Sequence, residues 1–588
     1  MSDISEKPGT SLEKTPLEKT PASVKFERLP MVDGPLTHFN QYRSETLKSV
    51  IHRTLGEISP EQADVLLEES MYLERVRLHR ASKLSPSYFF TYKRRKNDQQ
   101  IWRMVRGELR KTKAEVDRHK ILDQVLSHYA EEIGGHFNPK VYEFATHALP
   151  LMFNWLLNAA SVRRFMPWGQ TQSLAPHLKI LGEVEKLQRL SKKGTVLLVP
   201  THQSNIDSML VGYVIHLMRL PPFSYGAGLN LFTNPVFSFL MGNLGAYTVD
   251  RQKGSALYKA TLKNYSTQIL KQGVHSIFFP GGGRARSGAI ESKLKLGLLG
   301  TGLQAQIENL RDDKPNSNIY IVPMVMSYHF VLEASSLIDD YLAHVGKHRF
   351  YGNDSDDPWP LLKTIRFFWR FFQDRGAFYV RIGQPMDVFG NLVDENGVGI
   401  GPNGTSVDPR KWLTTRGELK PVFQRDREYT ERLGGKIVER FHKDNTVLTS
   451  ALVSFAFFMA LRKKYPEMDL YRFLRLTSAQ RSLPYDKFLS EAQYWYDRVR
   501  RLADQGELFL SEELRNLPLE EWVKDGIRRL GAIHDASALK IEDGVAFTED
   551  MSLLYYYRNR LTGYRLTQHE SGEKEGFPGE YDDKGFLV

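Results

Sequence analysis

The sequence predicts an α/β fold: a sheet covered by helices, with helical regions before and after it. Three observations carry that reading. Apolar runs of strand length, at 195–199, 275–279, 319–325 and 377–382, alternate with helical stretches. The flanking stretches carry helical patterns of their own. The chain's 588 residues also exceed what one core sustains, so two or three domains are expected.

The elements follow in order. Residues 1–35 are rich in Lys, Glu, Thr, Ser and Pro, and Leu12-Glu-Lys-Thr-Pro16 repeats at Leu17-Glu-Lys-Thr-Pro21. So few apolar groups cannot sustain packing, and a disordered tail is expected. Residues 36–165 read as a helical N-terminal region. One helix opens at Pro60, with acids in its first turn; another runs through 116–129 and closes at Gly134-Gly135. Between them, Tyr92-Lys-Arg-Arg-Lys96 is either a solvated face or a contact for anionic lipid headgroups.

Residues 166–390 are the α/β domain, and 391–588 a mostly helical C-terminal region that opens with a loop-like stretch. Within the latter, the apolar run 447–461 stops at Arg462-Lys-Lys464. It is shorter than the roughly 18 to 20 residues of a membrane span. A buried core helix is expected there, with an interfacial helix as the alternative. The final twenty or so residues lose periodicity and are expected to be loose.

Composition narrows the function classes. Without cysteine, disulfides, thiolate catalysis and thiolate metal sites are excluded. No secretory signal pattern opens the chain, and acids near the start argue against a mitochondrial transit peptide. A net charge of +11 suits an anionic membrane or nucleic acid. No nucleic-acid motif accompanies it, so the expected partner is an anionic lipid surface.

The chemistry concentrates in two segments. His202 and Asp207 follow the run Thr195-Val-Leu-Leu-Val199, where open α/β sheets place ligands. A histidine can deprotonate a hydroxyl, and an aspartate can hold the imidazole in the useful tautomer. Ser204 lacks the Gly-x-Ser-x-Gly setting of a nucleophile and is expected to be a core or capping hydroxyl. About eighty residues on, Phe278-Phe-Pro-Gly-Gly-Gly-Arg-Ala-Arg-Ser-Gly288 suits a phosphate. Gly281, Gly282 and Gly283 let the backbone approach an anion, while Arg251, Arg284 and Arg286 offer forked donors. A tight turn with surface arginines is the plainer reading of that loop. A nucleotide P-loop is excluded, because no Gly-Lys-Ser/Thr follows.

His202-x-x-x-x-Asp207 resembles the first motif of the glycerolipid acyltransferases. Gly245-Ala-Tyr-Thr-Val-Asp-Arg251, Phe278 to Gly288, and Ile321-Val-Pro-Met-Val-Met-Ser-Tyr328 resemble the second, third and fourth, in that order. The long glycerol-3-phosphate acyltransferase form is also matched by Ala227-Gly-Leu-Asn-Leu231, Asn445-Thr-Val-Leu-Thr-Ser450 and Tyr556-Tyr-Arg-Asn559. The likeness runs from about residue 140 to about 565.

The resemblance implies a mixed sheet flanked by helices, the glycerolipid acyltransferase fold. It implies acyl transfer from acyl-CoA or acyl carrier protein to the sn-1 hydroxyl of glycerol 3-phosphate, making lysophosphatidate, the first step of phospholipid synthesis. His202 would be the base and Asp207 its support. Arg251, Gly282, Gly283, Arg284 and Arg286 would hold the glycerol phosphate, and Pro323 would shape the acyl side. No metal cluster with ligand spacing is visible in the sequence, so no metal and no cofactor are expected. Peripheral attachment to the cytoplasmic face of the inner membrane is expected. The alternatives are dihydroxyacetone phosphate or a lysophosphatidate as acceptor, or a non-catalytic membrane-associated homologue.

Two positions depart from the family pattern. Gly281 stands where the family carries glutamate, and Gln203 where the bacterial long form tends to carry arginine. Asp250 and Glu291 are the nearby acids that could replace the lost carboxylate.

Overall fold

The computed structural model describes residues 29–82, 89–110, 117–147, 178–229, 235–345, 377–531, 534 and 536–566. Most of the expected N-terminal tail, and the C-terminal residues expected to be loose, lie outside these. Helices come first, among them α1 (Phe39–Gly56), α2 (Pro60–Ser82), α3 (Phe89–Leu109) and α4 (Arg118–Ile133). α4 shows why this sequence is helical. Asp117 caps it by accepting from the Lys120 amide, and Ile121, Leu122, Val125, Leu126, Tyr129 and Ile133 recur at helical spacing and are buried.

Seven strands then form one sheet: β1 (Leu178–Gly182), β2 (Thr195–Pro200), β3 (Ser224–Gly228), β4 (Ala246–Val249), β5 (Ser276–Ile277), β6 (Ile319–Ser327) and β7 (Phe378–Ile382). Their spatial order is β1-β7-β6-β2-β5-β3-β4. Neighbours run parallel except β6 and β7, so the sheet is mixed. Every residue of β2 and β6 is buried, which is why both read as continuous apolar runs. β1, β3 and β4 gave no such signal; β3 is Ser-Tyr-Gly-Ala-Gly, with little apolar bulk.

Successive side chains of β2 feed different cores. Val196 and Leu198 pack with Leu210, Val211 and Val214 of the helix Asp207–Leu217 and with residues of the C-terminal helices. Leu197 and Val199 pack with Leu299, Leu303 and Ile307 of the helix Leu296–Arg311, and with Leu433, Ile437 and Phe441 of the helix Phe423–Lys443. The helix Ala256–Lys271 shares a third core with α1 and α4, through Leu257, Tyr258, Leu262, Tyr265 and Ile269.

The run 447–461 resolves as a short strand, Thr446–Val447, and the helix Thr449–Lys464. That helix is buried from Thr449 through Leu461 and packs against the helices Tyr485–Asp504, Leu519–Gly531 and Met551–Arg558. Its hydroxyls are satisfied inside: Thr449 donates to Asp525 Oδ2 (2.8 Å) and Ser454 to the Ser450 carbonyl (2.8 Å). Of the two expected placements it is the core helix. No helix among the described residues is long and apolar enough to cross a membrane.

At the start of β5, His275 is buried and its Nδ1 accepts from the Val196 amide at 3.0 Å. Burial pushes its pKa down from 6.5 to about 4. Between those values the unfolded chain binds a proton that the folded chain refuses, so stability falls as pH drops. Urea unfolding is expected to show about 2 kcal/mol less stability at pH 5 than at pH 7 from this residue. His275→Gln should flatten the dependence by that amount; an unchanged slope would contradict the assignment.

Candidate active site

The site begins where β2 ends. After Pro200, the Thr201 amide makes one more sheet bond to the Met324 carbonyl, and the chain turns into the helix Asp207–Leu217. Asp207, in that helix's first turn, is fully buried. Its Oδ2 accepts from the Gln203 amide (2.6 Å), the Ser204 amide (2.9 Å) and His202 Nδ1 (3.0 Å). Its Oδ1 accepts from the Tyr328 hydroxyl at 2.7 Å. Burial and the neighbouring Asp207 push the Tyr328 phenol well above its ordinary range, so it stays a donor. An ionised carboxylate can only accept. The His202 proton therefore sits on Nδ1, leaving Nε2 with a lone pair. The imidazole is 16% exposed and lies against the Phe279 ring, centroids 4.4 Å apart.

The glycine-arginine loop grips the same histidine by its main chain. The Ala285 amide donates to the His202 carbonyl at 2.7 Å, and the His202 amide donates to Glu291 Oε1 at 2.7 Å. Gly282 has φ +71, which favours glycine, and a Cβ there would fall 2.8 Å from Lys295 Cγ, so that lysine would have to shift. Arg251, from the turn after β4, brings Nη1 to 3.9 Å from where a Gly283 Cβ would stand. Arg284 pairs with Glu333 at 3.4 Å. Glu333 also accepts from Ser204 Oγ (2.7 Å) and the Asn205 amide (3.2 Å), so the Ser204 hydroxyl is structural, as expected. Arg286 is exposed on the same loop. Pro323 is buried within β6 beside Val199, its carbonyl taken by the Gly383 amide at 2.8 Å. The structure thus gathers His202, Asp207, Arg251 and the glycine-arginine loop, while Pro323 belongs to the sheet interior.

Residues 182–327 match the family model described as Acyltransferase, a stretch that runs from the end of β1 through β6. That stretch is similar to the acyltransferase family. Glycerol-3-phosphate acyltransferase of Pseudomonas putida (strain W619) is 25% identical over 383 residues, 65% of this chain and 40% of that protein. The enzyme of the same name from Pseudomonas entomophila (strain L48) is 26% identical over 455 residues, 76% of this chain and 46% of that protein. One from Pseudoalteromonas translucida (strain TAC 125) is 29% identical over 239 residues, 39% and 26% of the two chains. The chain spans less than half the length of these relatives.

The N-terminal helices anchor the turn that carries Arg251. Two residues on, the buried Lys253 ammonium donates to Asp98 Oδ1 (2.8 Å) and also bonds Glu132. Arg77 bonds Glu74 (2.6 Å) and Asp98 and reaches Asp250 at 3.8 Å. Burial alone would raise the Asp98 carboxyl, but His128, Lys253 and Arg77 together hold it well below its ordinary range. The ligand atoms of Asp98, His128 and Glu132 lie within 4.8 Å of one another, a spacing a metal could use. The Lys253 ammonium already takes the cation's place between Asp98 and Glu132.

Sequence reasoning left Lys253 and Glu333 out of the site. Neither carries a local signal, since Lys253 reaches 155 residues back to Asp98 and Glu333 contacts Ser204 across 129. Of the two acids that could replace a carboxylate at position 281, Asp250 faces Arg77, whereas Glu291 lies beside Gly281.

Proposed function

We propose that this chain moves an acyl group from a thioester of coenzyme A or acyl carrier protein to the sn-1 hydroxyl of glycerol 3-phosphate, releasing lysophosphatidate. One observation carries the reading: His202 bonds a buried carboxylate through Nδ1, and the glycine-arginine loop bonds its main chain, leaving Nε2 for the acceptor. The acceptor hydroxyl gives its proton to Nε2 as its oxygen attacks the thioester carbonyl. Asp207 supports the imidazolium so formed. Collapse of the tetrahedral adduct breaks the carbon–sulfur bond, and the imidazolium proton goes to the departing sulfur. Since the acceptor is the nucleophile, no acyl group rests on the enzyme and none of its serines need be activated.

Arg251, Arg284 and Arg286 supply the positive charge for the acceptor phosphate, and Gly282 and Gly283 allow it close to the backbone. The similarity to glycerol-3-phosphate acyltransferases supports glycerol 3-phosphate as that acceptor. The test is purified protein with a labelled acyl thioester, offered glycerol 3-phosphate, dihydroxyacetone phosphate or a lysophosphatidate. Transfer is expected to be fastest to glycerol 3-phosphate. His202→Ala should lower it by a factor of roughly 100 to 10,000 in folded protein. Undiminished transfer by that variant would overturn the mechanism, and no transfer to any acceptor would favour a non-catalytic homologue.

We also propose that the protein attaches peripherally to the cytoplasmic face of the inner membrane, a net charge of +11 supporting contact with anionic lipid. Anionic vesicles should bind it, and raising salt should weaken that binding by screening. Equal binding to neutral vesicles at all salt concentrations would contradict electrostatic attachment.

A further inference from the structure

Glu291 stands outside the machinery described so far, yet it is the side chain most closely tied to the His202 backbone. Its Oε1 accepts the His202 amide proton at 2.7 Å. Its Oε2 is buried and has no hydrogen-bond partner. A Cβ built on Gly281 would lie 3.1 Å from Glu291 Cγ and 3.6 Å from Oε1. The carboxylate therefore occupies the space a side chain at 281 would need. Because Ala285 holds the His202 carbonyl, residues 281–291 clamp the histidine's main chain from both sides.

The charge environment gives this carboxylate a second neighbour. Burial raises its pKa, and the Arg560 guanidinium acts in the opposite sense. Arg560 is itself buried and bonds Asn445 Oδ1 (3.0 Å) and the Met326 carbonyl (2.9 Å), with Nη1 left over. Its charge therefore favours the ionised form of Glu291, and its turn, Asn559–Leu561, also binds the loop where Asn559 Nδ2 donates to the Ser287 carbonyl (2.8 Å).

Resting on the acyl-transfer reading, we propose that Glu291 is a positioning residue for it: the carboxylate fixes the His202 main chain against the phosphate loop. The plainer alternative is that Glu291 merely satisfies a backbone donor, with no consequence for the imidazole. The two differ in kinetics. If position is what Glu291 supplies, Glu291→Leu lowers kcat by roughly 100-fold, as small misplacements do, while KM for both substrates stays within about twofold. Glu291→Gln recovers most of kcat, because the amide oxygen can accept the same bond. Gly281→Ala, whose methyl crowds Glu291, lowers kcat in the same KM-independent way; it decides the matter with Glu291→Gln should the leucine variant fail to fold.

A readout independent of activity accompanies these. With 15N-labelled histidine, the His202 amide resonance, identified by its loss in His202→Ala, should move upfield in Glu291→Leu and stay in Glu291→Gln. A leucine variant with wild-type kcat, a glutamine variant as poor as leucine, or an unmoved amide resonance would each overturn the proposal. If wild type transfers nothing, the acyl-transfer reading fails separately, and the amide shift still decides whether Glu291 holds His202.

Discussion

The Asp207 carboxylate is the fixed point of the site. It is fully buried, and four donors converge on its two oxygens: two main-chain amides, the His202 ring and the Tyr328 hydroxyl. A buried carboxylate without such partners would be costly, so the turn 202–206 must fold around it. That turn presents the Gln203 and Ser204 amides, and with them sets where His202 stands. β6 contributes through its end, where Tyr328 follows Ser327. The register of β2 against β6 thus decides whether the carboxylate is satisfied.

Both helical regions serve this centre. On the N-terminal side, ion pairs among Glu74, Arg77, Asp98, Glu132 and Lys253 hold the turn that carries Arg251. Breaking such a buried set by removing one member typically costs about 3 to 5 kcal/mol, because a charge is left unpaired. On the C-terminal side, Arg560 and Asn559 reach the end of β6 and the glycine-arginine loop, and Gly288 is pressed against the Tyr556 carbonyl with φ +82. An alanine there would be strained and would collide with backbone.

Much of this was legible in the sequence, and the exceptions have physical reasons. β2 and β6 announced themselves because both faces are buried; β3 and β4 did not, because their short segments mix glycine, serine, threonine and tyrosine. His202 and Asp207 are five residues apart, so their pairing could be anticipated from one turn of chain. The partnership of Arg284 with Glu333 could not, since it depends on how the helix Ala334–Val345 returns to the site. Among the basic residues of Tyr92-Lys-Arg-Arg-Lys96, Arg94 turns inward and bonds the Glu132 carbonyl and Thr248, so this run is not simply a solvated face. Charge alone does not tell a surface arginine from one that bridges two elements.

The most direct measurement of the central claim is the turnover of Asp207→Asn with a labelled acyl thioester and glycerol 3-phosphate. Asparagine keeps the shape but removes the negative charge proposed to support the imidazolium, and it can offer an N–H where Asp207 only accepts. Turnover should fall by roughly a thousandfold or more while the protein remains folded. A folded Asp207→Asn protein that transfers acyl groups at close to the wild-type rate would contradict the role assigned to this carboxylate, and with it the chemistry assigned to His202.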